Sequence, residues 1–231
     1  MLRALLTRFV HALPSQCAVC HDWPAQPVCP ACVARFAQPR PRCRTCALPL
    51  PEGPTQCGAC IKNPPPLDHC LAAVDYAYPW AGLITRYKFA GDPGWSASFA
   101  ELLRSAPQVA PTLEQADLLL PMPLSPERLR ERGFNQAYEI ARRLAPQKAS
   151  PHLLLRRRHA PAQSSLPRRQ RLRNVQGAFA LAPQHRHVLQ DKRVVLFDDV
   201  MTSGASLFAA AQVLREAGAA HITGLVLART E

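Results

Sequence analysis

Eight of the nine cysteines in this 231-residue chain come as four Cys-x-x-Cys pairs: Cys17/Cys20, Cys29/Cys32, Cys43/Cys46 and Cys57/Cys60. Each pair puts two thiolates on one tight knuckle aimed at a single point, and two knuckles complete a tetrahedral sulfur site for zinc. Four knuckles therefore predict two structural zinc sites with all eight thiolates as ligands. Sequential use, residues 17–32 and then 43–60, is the simplest pairing; an interleaved one stays open. A disulfide framework is the alternative, and it is disfavoured because no secretion signal precedes it. A redox motif is disfavoured because four repeats are too many. Cys70, the remaining thiol, opens the apolar run Cys70-Leu71-Ala72-Ala73-Val74 and reads as a core residue.

A second chemistry is written near the C-terminus. Val194-Val195-Leu196-Phe197 is a wholly apolar strand that ends in Asp198 and Asp199, and the turn Thr202-Ser203-Gly204-Ala205-Ser206 follows. A turn that opens a helix offers backbone N–H groups to a phosphate. Thr202, Ser203 and Ser206 add hydroxyl donors, and Gly204 permits close backbone approach. Two adjacent carboxylates can accept hydrogen bonds from vicinal hydroxyls. Phosphate beside a diol acceptor describes a site for a ribose 5-phosphate. A simple N-cap with surface acids would explain Ser203, but it gives no reason for two like charges at the end of a buried strand.

The elements that must hold these groups alternate. Strand patterns cover Val74–Tyr78, Leu118–Leu120, Leu153–Leu155, Val194–Phe197 and Ile222–Leu227. Helical patterns cover Trp80–Phe89, Trp95–Leu103, Asn135–Leu144 and Ala205–Ala217, the last stopped by Gly218. Strand–helix alternation predicts an α/β fold, a mostly parallel sheet with helices on both faces. Ligands of such sheets bind at the carboxyl ends of the strands, where Asp198 and Asp199 fall.

Composition divides the chain. Twelve of its 24 prolines and eight of its nine cysteines lie in the first 66 residues, a region of turns in which metal would supply the folding energy that burial cannot. Asn63-Pro64-Pro65-Pro66 reads as a stiff linker. The expected organisation is an amphipathic helix over 1–16, a double zinc ribbon over 17–62 and an α/β domain over 67–231. The apolar content of 48% excludes wholesale disorder. No run of about 18 uncharged apolar residues exists, so a transmembrane helix is not expected, and a cytoplasmic protein is. Of 28 basic residues 24 are Arg, and residues 127–173 hold 13 Lys or Arg against three Glu. Phosphate or polyanion partners fit that concentration; a solvated face fits it equally.

The segment from Val194 to Ser206 resembles the phosphoribosyl pyrophosphate (PRPP) binding motif of type I phosphoribosyltransferases. Arg132-Gly133-Phe134-Asn135-Gln136-Ala137, Lys88-Phe89, and Gln163, Leu166, Arg171, Asn174 and Ala178-Phe179, taken with the cysteine ribbons, resemble the competence protein F (ComF) family and its relative GntX over nearly the whole chain. One departure is Ala160, where that family often has threonine.

The resemblance implies a type I phosphoribosyltransferase-like sheet. It assigns Asp198 and Asp199 to the ribose hydroxyls and Thr202 through Ser206 to the 5-phosphate. It gives Lys88, Arg132, Gly133, Arg171 and Asn174 to PRPP, with Mg²⁺ accompanying the ligand. Arg128, Arg130 and Arg132 fall in the pyrophosphate-contacting loop, and Arg156 to Asn174 in the loop that closes over the site. It also implies a role in natural transformation or DNA uptake. Three functions follow as alternatives: phosphoribosyl transfer to an unknown acceptor, PRPP sensing or single-stranded DNA binding without catalysis, and a zinc-ribbon adaptor for the uptake machinery. In purine-salvage enzymes of this fold an aspartate stands where Thr202 is, so no general base is named. Sequence leaves the oligomeric state open.

Overall fold

The computed structural model of the protein describes residues 15–89, 92–157 and 177–231. The expected N-terminal helix lies outside them apart from Ser15 and Gln16, and so do Arg171 and Asn174. The chain divides into two compact units, Met1–Gln38 and Pro39–Glu231.

In the first unit Cys17 and Cys20 sit on a turn closed by the bridge Ser15–Ala25, and helix α1 (Pro30–Phe36) starts with Cys29 as its N-cap. The second unit opens on the same design. Cys43 and Cys46 sit on a turn closed by the bridge Arg42–Pro49, and α2 (Gly58–Lys62) starts with Cys57 as its N-cap. In each copy the backbone N–H of that N-cap cysteine points at the first thiol, Cys29 N to Cys17 Sγ and Cys57 N to Cys43 Sγ, both 3.3 Å.

The rest of the second unit runs β1 (His69–Asp75), α3 (Trp80–Phe89), α4 (Trp95–Ser105), α5 (Val109–Gln115), β2 (Leu118–Pro121), α6 (Pro126–Arg132), α7 (Gln136–Leu144), β3 (Leu154–Arg156), β4 (Phe179–Leu181), a 3-10 stretch Pro183–Leu189, β5 (Arg193–Met201), α8 (Ala205–Glu216) and β6 (His221–Arg229). Four strands form one parallel sheet in the order β1-β6-β5-β2. β3 and β4 form a separate antiparallel pair.

The apolar spacing dictates the layers. β5 alternates, so Val194 and Leu196 join Ile222 and Val226 in one cluster with Leu207, Ala210, Ala211 and Leu214 of α8. Val195 and Phe197 point to the other face, where α7 packs on β2 and β5 through Ala137, Ile140, Ala141 and Leu144. Each fully buried Leu or Ile contributes roughly 2 kcal/mol, so the two-sided burial of β5 anchors the strand that carries the acid pair.

Several expectations are corrected. The first strand is His69–Asp75 and not Val74–Tyr78: Tyr78-Pro79 lies beyond the sheet, and burial starts at Cys70. β5 continues through the acid pair to Met201, because Asp198 and Val200 still pair with Val226 and Ala228 of β6. The strand at Leu153–Leu155 is found at Leu154–Arg156, outside the parallel sheet and antiparallel to a strand at Phe179–Leu181 that three residues of pattern could not announce. The segment holding Arg128, Arg130 and Arg132 is helical. Ser125 caps it by accepting from Arg128 N at 3.4 Å, and Gly133 ends it at φ +76°, a left-handed conformation that suits glycine.

Candidate functional site

Two cysteine clusters are present, Cys17, Cys20, Cys29 and Cys32 in one, Cys43, Cys46, Cys57 and Cys60 in the other, with the four sulfurs of each within 4.8 Å of one another. The sequential pairing is therefore the one adopted. Tetrahedral Zn–S bonds of about 2.3 Å put neighbouring sulfurs about 3.8 Å apart. The Cys17–Cys32, Cys20–Cys29 and Cys46–Cys57 separations are 3.9, 3.6 and 3.7 Å. Burial alone would push the Cys17 thiol up, but N–H groups of Cys20, Cys29 and Val19 outweigh it and bring it down to about 6. Cys43 falls to about 6 in the same way, burial being outweighed by the N–H groups of Cys57, Thr45 and Cys46. Burial and the neighbouring thiols push Cys32, Cys46 and Cys60 up, so in each cluster the first thiol is the one favoured as thiolate. Cys70 is no part of either cluster: burial drives its thiol up to about 12, and it packs 3.9 Å from the Met201 sulfur.

At the carboxyl ends of β2 and β5 lies a cavity of 180 Å³, lined among others by Lys88, Arg128, Arg132, Gln136, Arg156, Asp198, Asp199, Thr202 and Ser206. Asp199 is buried, and Lys88 Nζ reaches its Oδ2 at 3.0 Å. Asp198 Oδ1 accepts from Asp199 N at 2.9 Å. Burial pushes the Asp198 carboxyl up to about 7, the neighbouring Asp199 charge adds to the rise, and Lys88 opposes it. The turn past β5 closes on Gly204 at φ +80°, which stands as N-cap of α8. A Cβ there would lie 2.5 Å from Met201 Cε and 2.6 Å from Phe208 Cζ, so any other residue would have to push those side chains aside and hold a strained left-handed φ.

The opposite wall comes from the segment Arg132–Ala137. Asn135 locks it by capping α7, accepting from Tyr138 N at 3.2 Å while donating to Met122 O at 3.1 Å. Tyr87 OH donates to Gln136 O at 3.0 Å from below. The Gln136 side chain is 1% exposed, and its Oε1 accepts from an Arg132 guanidinium nitrogen at 3.1 Å. That leaves Gln136 Nε2 and Arg132 Nε buried with no hydrogen-bond partner. Two orphaned donors cost about 1–3 kcal/mol each unless an acceptor arrives. Burial also lowers the Arg132 guanidinium from its usual value, which the Asp199 charge counteracts.

Of the residues singled out by sequence, Lys88, Arg128, Arg132, Asp198, Asp199, Thr202 and Ser206 line this one cavity, whereas Arg130 is not among its lining residues. Ser203, Gly204 and Ala205 build the turn beside it, Ser203 Oγ accepting from Ala205 N at 3.4 Å. Gly133 caps α6 and is not among the lining residues. Gln136, which sequence places only within the family motif, and Arg156, only at the start of the closing loop, also line the cavity, although sequence assigns neither to the ligand. Gln136 lies four residues after Arg132 but across the break between α6 and α7, so no helical periodicity links the two. Arg156 arrives on β3, with its guanidinium 5.4 Å over the Phe179 ring, and no local pattern announces it.

No protein-family model matches the chain. The DNA utilization protein YhgH of Salmonella typhimurium is 30% identical over 209 residues, 88% of this chain and 90% of that protein. Competence protein F of Haemophilus influenzae is 32% identical over 195 residues, 82% of this chain and 85% of that one. A solved structure of the allosteric regulatory enzyme of purine biosynthesis aligns with 62% of this chain and 29% of its own at 19% identity and a TM-score of 0.37. Among the described residues no helix is long and apolar enough to cross a membrane. At 30% identity or more over most of both chains, this protein belongs to the ComF/YhgH competence and DNA utilization family.

Proposed function

We propose that the protein binds PRPP, or a closely related ribose 5-phosphate, in the cavity at the carboxyl ends of β2 and β5, that zinc fills both cysteine clusters, and that the protein serves DNA uptake or utilization. The observation that carries the ligand assignment is the pair of orphaned donors, Gln136 Nε2 and Arg132 Nε, in residues that line the same cavity as an acid pair and the Gly204 turn. A ligand that satisfies all three must carry acceptor oxygens on one side, hydroxyl donors in the middle and a second anionic group on the other.

In this reading Asp198 and Asp199 accept from the two ribose hydroxyls. The backbone and hydroxyls of Thr202–Ser206 hold the 5-phosphate. Arg132, Gln136 and Arg128 hold the pyrophosphate. Lys88 pairs with Asp199 at 3.0 Å and sets a positive charge beside the ligand. Mg²⁺, arriving with the ligand, would neutralise the pyrophosphate; the acid pair fits a cation-bearing ligand. The place in DNA utilization is supported by what the relatives are named for.

Calorimetric titration of the metal-loaded protein with PRPP and Mg²⁺ tests the reading, followed by a pyrophosphate-release assay on the same sample. Binding that falls in Asp198→Asn/Asp199→Asn, with zinc content unchanged, is the expected result. Unaltered affinity in that variant sinks the site assignment. Release would mark a phosphoribosyltransferase; binding without release would mark a sensor or uptake factor.

A further inference from the structure

Arg229, the last residue of β6, is 5% exposed and ties two distant pieces of the second unit together. Its Nε donates to the carbonyl of Cys46, on the knuckle of the second cysteine cluster, at 2.9 Å. One terminal nitrogen, which also reaches the Thr230 carbonyl, donates to the carbonyl of Thr202 at 2.6 Å and lies 3.2 Å from that of Met201, where β5 turns towards α8. Among the described residues its guanidinium makes no ion pair with a carboxylate. The knuckle is held on its other side as well. Cys70 N of β1 donates to Arg44 O at 2.7 Å, and Arg40 and Arg42 both grip Asp75 at 2.7 Å. Cys43, Cys46, Cys57 and Cys60 lie in the same buried cluster as Met201, Ala205 and Leu207.

We infer that Arg229 is a positioning residue that makes the phosphate-binding turn depend on the second metal cluster. A metal in that cluster fixes the Cys46 carbonyl, the carbonyl orients the guanidinium fork, and the fork fixes the Met201 and Thr202 carbonyls that set the turn's N–H groups. The fork geometry matters, because a lysine ammonium is a point donor that cannot span acceptors on Nε and a terminal nitrogen together. The charge matters too. The buried guanidinium behind the turn adds positive potential there, offset in part by the thiolates of the neighbouring cysteine cluster. The inference rests on the ribose 5-phosphate reading of the turn.

The test uses the full-length metal-loaded protein, Arg229→Lys and Cys60→Ser, with ribose 5-phosphate and inorganic pyrophosphate as separate calorimetric probes. In Arg229→Lys, zinc content stays at the wild-type level. Affinity for ribose 5-phosphate falls about ten-fold, the equivalent of one charge-assisted hydrogen bond. Affinity for pyrophosphate, held by the Arg132 side, is unchanged, and amide exchange across residues 202–206 quickens. Cys60→Ser loses one metal and shows the same selective loss, so it carries the test if Arg229→Lys fails to fold. Equal ribose 5-phosphate affinity and equal exchange in folded variants overturn the inference, and so does a uniform loss for both probes, which is mere destabilisation. A wild type that ignores ribose 5-phosphate overturns the ligand reading instead, and faster exchange in Arg229→Lys would still uphold the tie.

Discussion

Lys88 Nζ lies 3.0 Å from Asp199 Oδ2, although the two residues come from the end of a helix and the carboxyl end of a strand on opposite sides of the sequence. This contact places a cation beside the acid pair. Asp198 already sits near 7 because it is buried beside Asp199, and Lys88 is the cation that holds it from going higher. In Lys88→Met the Asp198 carboxyl should titrate above the wild-type value, read from the side-chain carboxyl carbon by NMR. An unmoved titration would mean that Lys88 does not act on the pair.

Asp198 also makes stability depend on pH. Its folded value of about 7 is raised above the roughly 3.9 of an unfolded aspartate, so the protonated form favours the folded state. The favourable contribution is complete below about pH 4 and is lost as pH rises through about 7. Asp198→Asn removes that dependence. At pH 8 it should be more stable than wild type by about 1 kcal/mol, while its affinity for ribose 5-phosphate falls. Urea denaturation at pH 5 and pH 8 checks both the sign and the window.

Gln136 tests the orphaned donors. Gln136→Glu keeps the shape and gives Arg132 a carboxylate partner, so the fold should hold or gain slightly. The same charge faces the place assigned to pyrophosphate. Affinity for pyrophosphate should drop at least about ten-fold, because a like charge replaces a donor in a low-dielectric pocket. Unchanged pyrophosphate titration would remove Gln136 from the site.

Gly204→Ala introduces a Cβ into a left-handed turn where it meets Met201 and Phe208 below 3 Å. Strain and overpacking together predict a loss of about 2–3 kcal/mol in chemical denaturation. Ribose 5-phosphate binding should weaken as well, since the turn must open to admit the methyl group. A loss of stability under about 0.5 kcal/mol would show that the turn is pliable.

The metal content is a direct count. Protein purified without chelator should carry two zinc ions per chain, one for each cluster of four cysteines. Cys17→Ser and Cys57→Ser should each release one, measured colorimetrically after thiol modification. Acidification should release both, because thiolates that hold the ion protonate.

The chemistry was legible in sequence where it is local. Cys-x-x-Cys makes a knuckle whatever surrounds it, and an apolar strand, an acid pair and a glycine turn follow one another within 13 residues. Element types followed from periodicity for the same reason. Local pattern could not fix which strands pair. Leu154–Arg156 reads like any short strand, yet it leaves the parallel sheet for an antiparallel partner at Phe179–Leu181.

The sequence by itself determined the local groupings: eight thiols in four knuckles, and two carboxylates ahead of a glycine turn, because neighbours on the chain are neighbours in space. Tertiary structure alone decided their company. It chose sequential over interleaved metal pairing, placed Lys88 on Asp199, left Gln136 and Arg132 with unspent donors in one cavity, and joined Cys46 to Thr202 through Arg229. Those contacts link residues far apart in the chain, and only the packing of the sheet, its helices and the second knuckle brings them within hydrogen-bond reach.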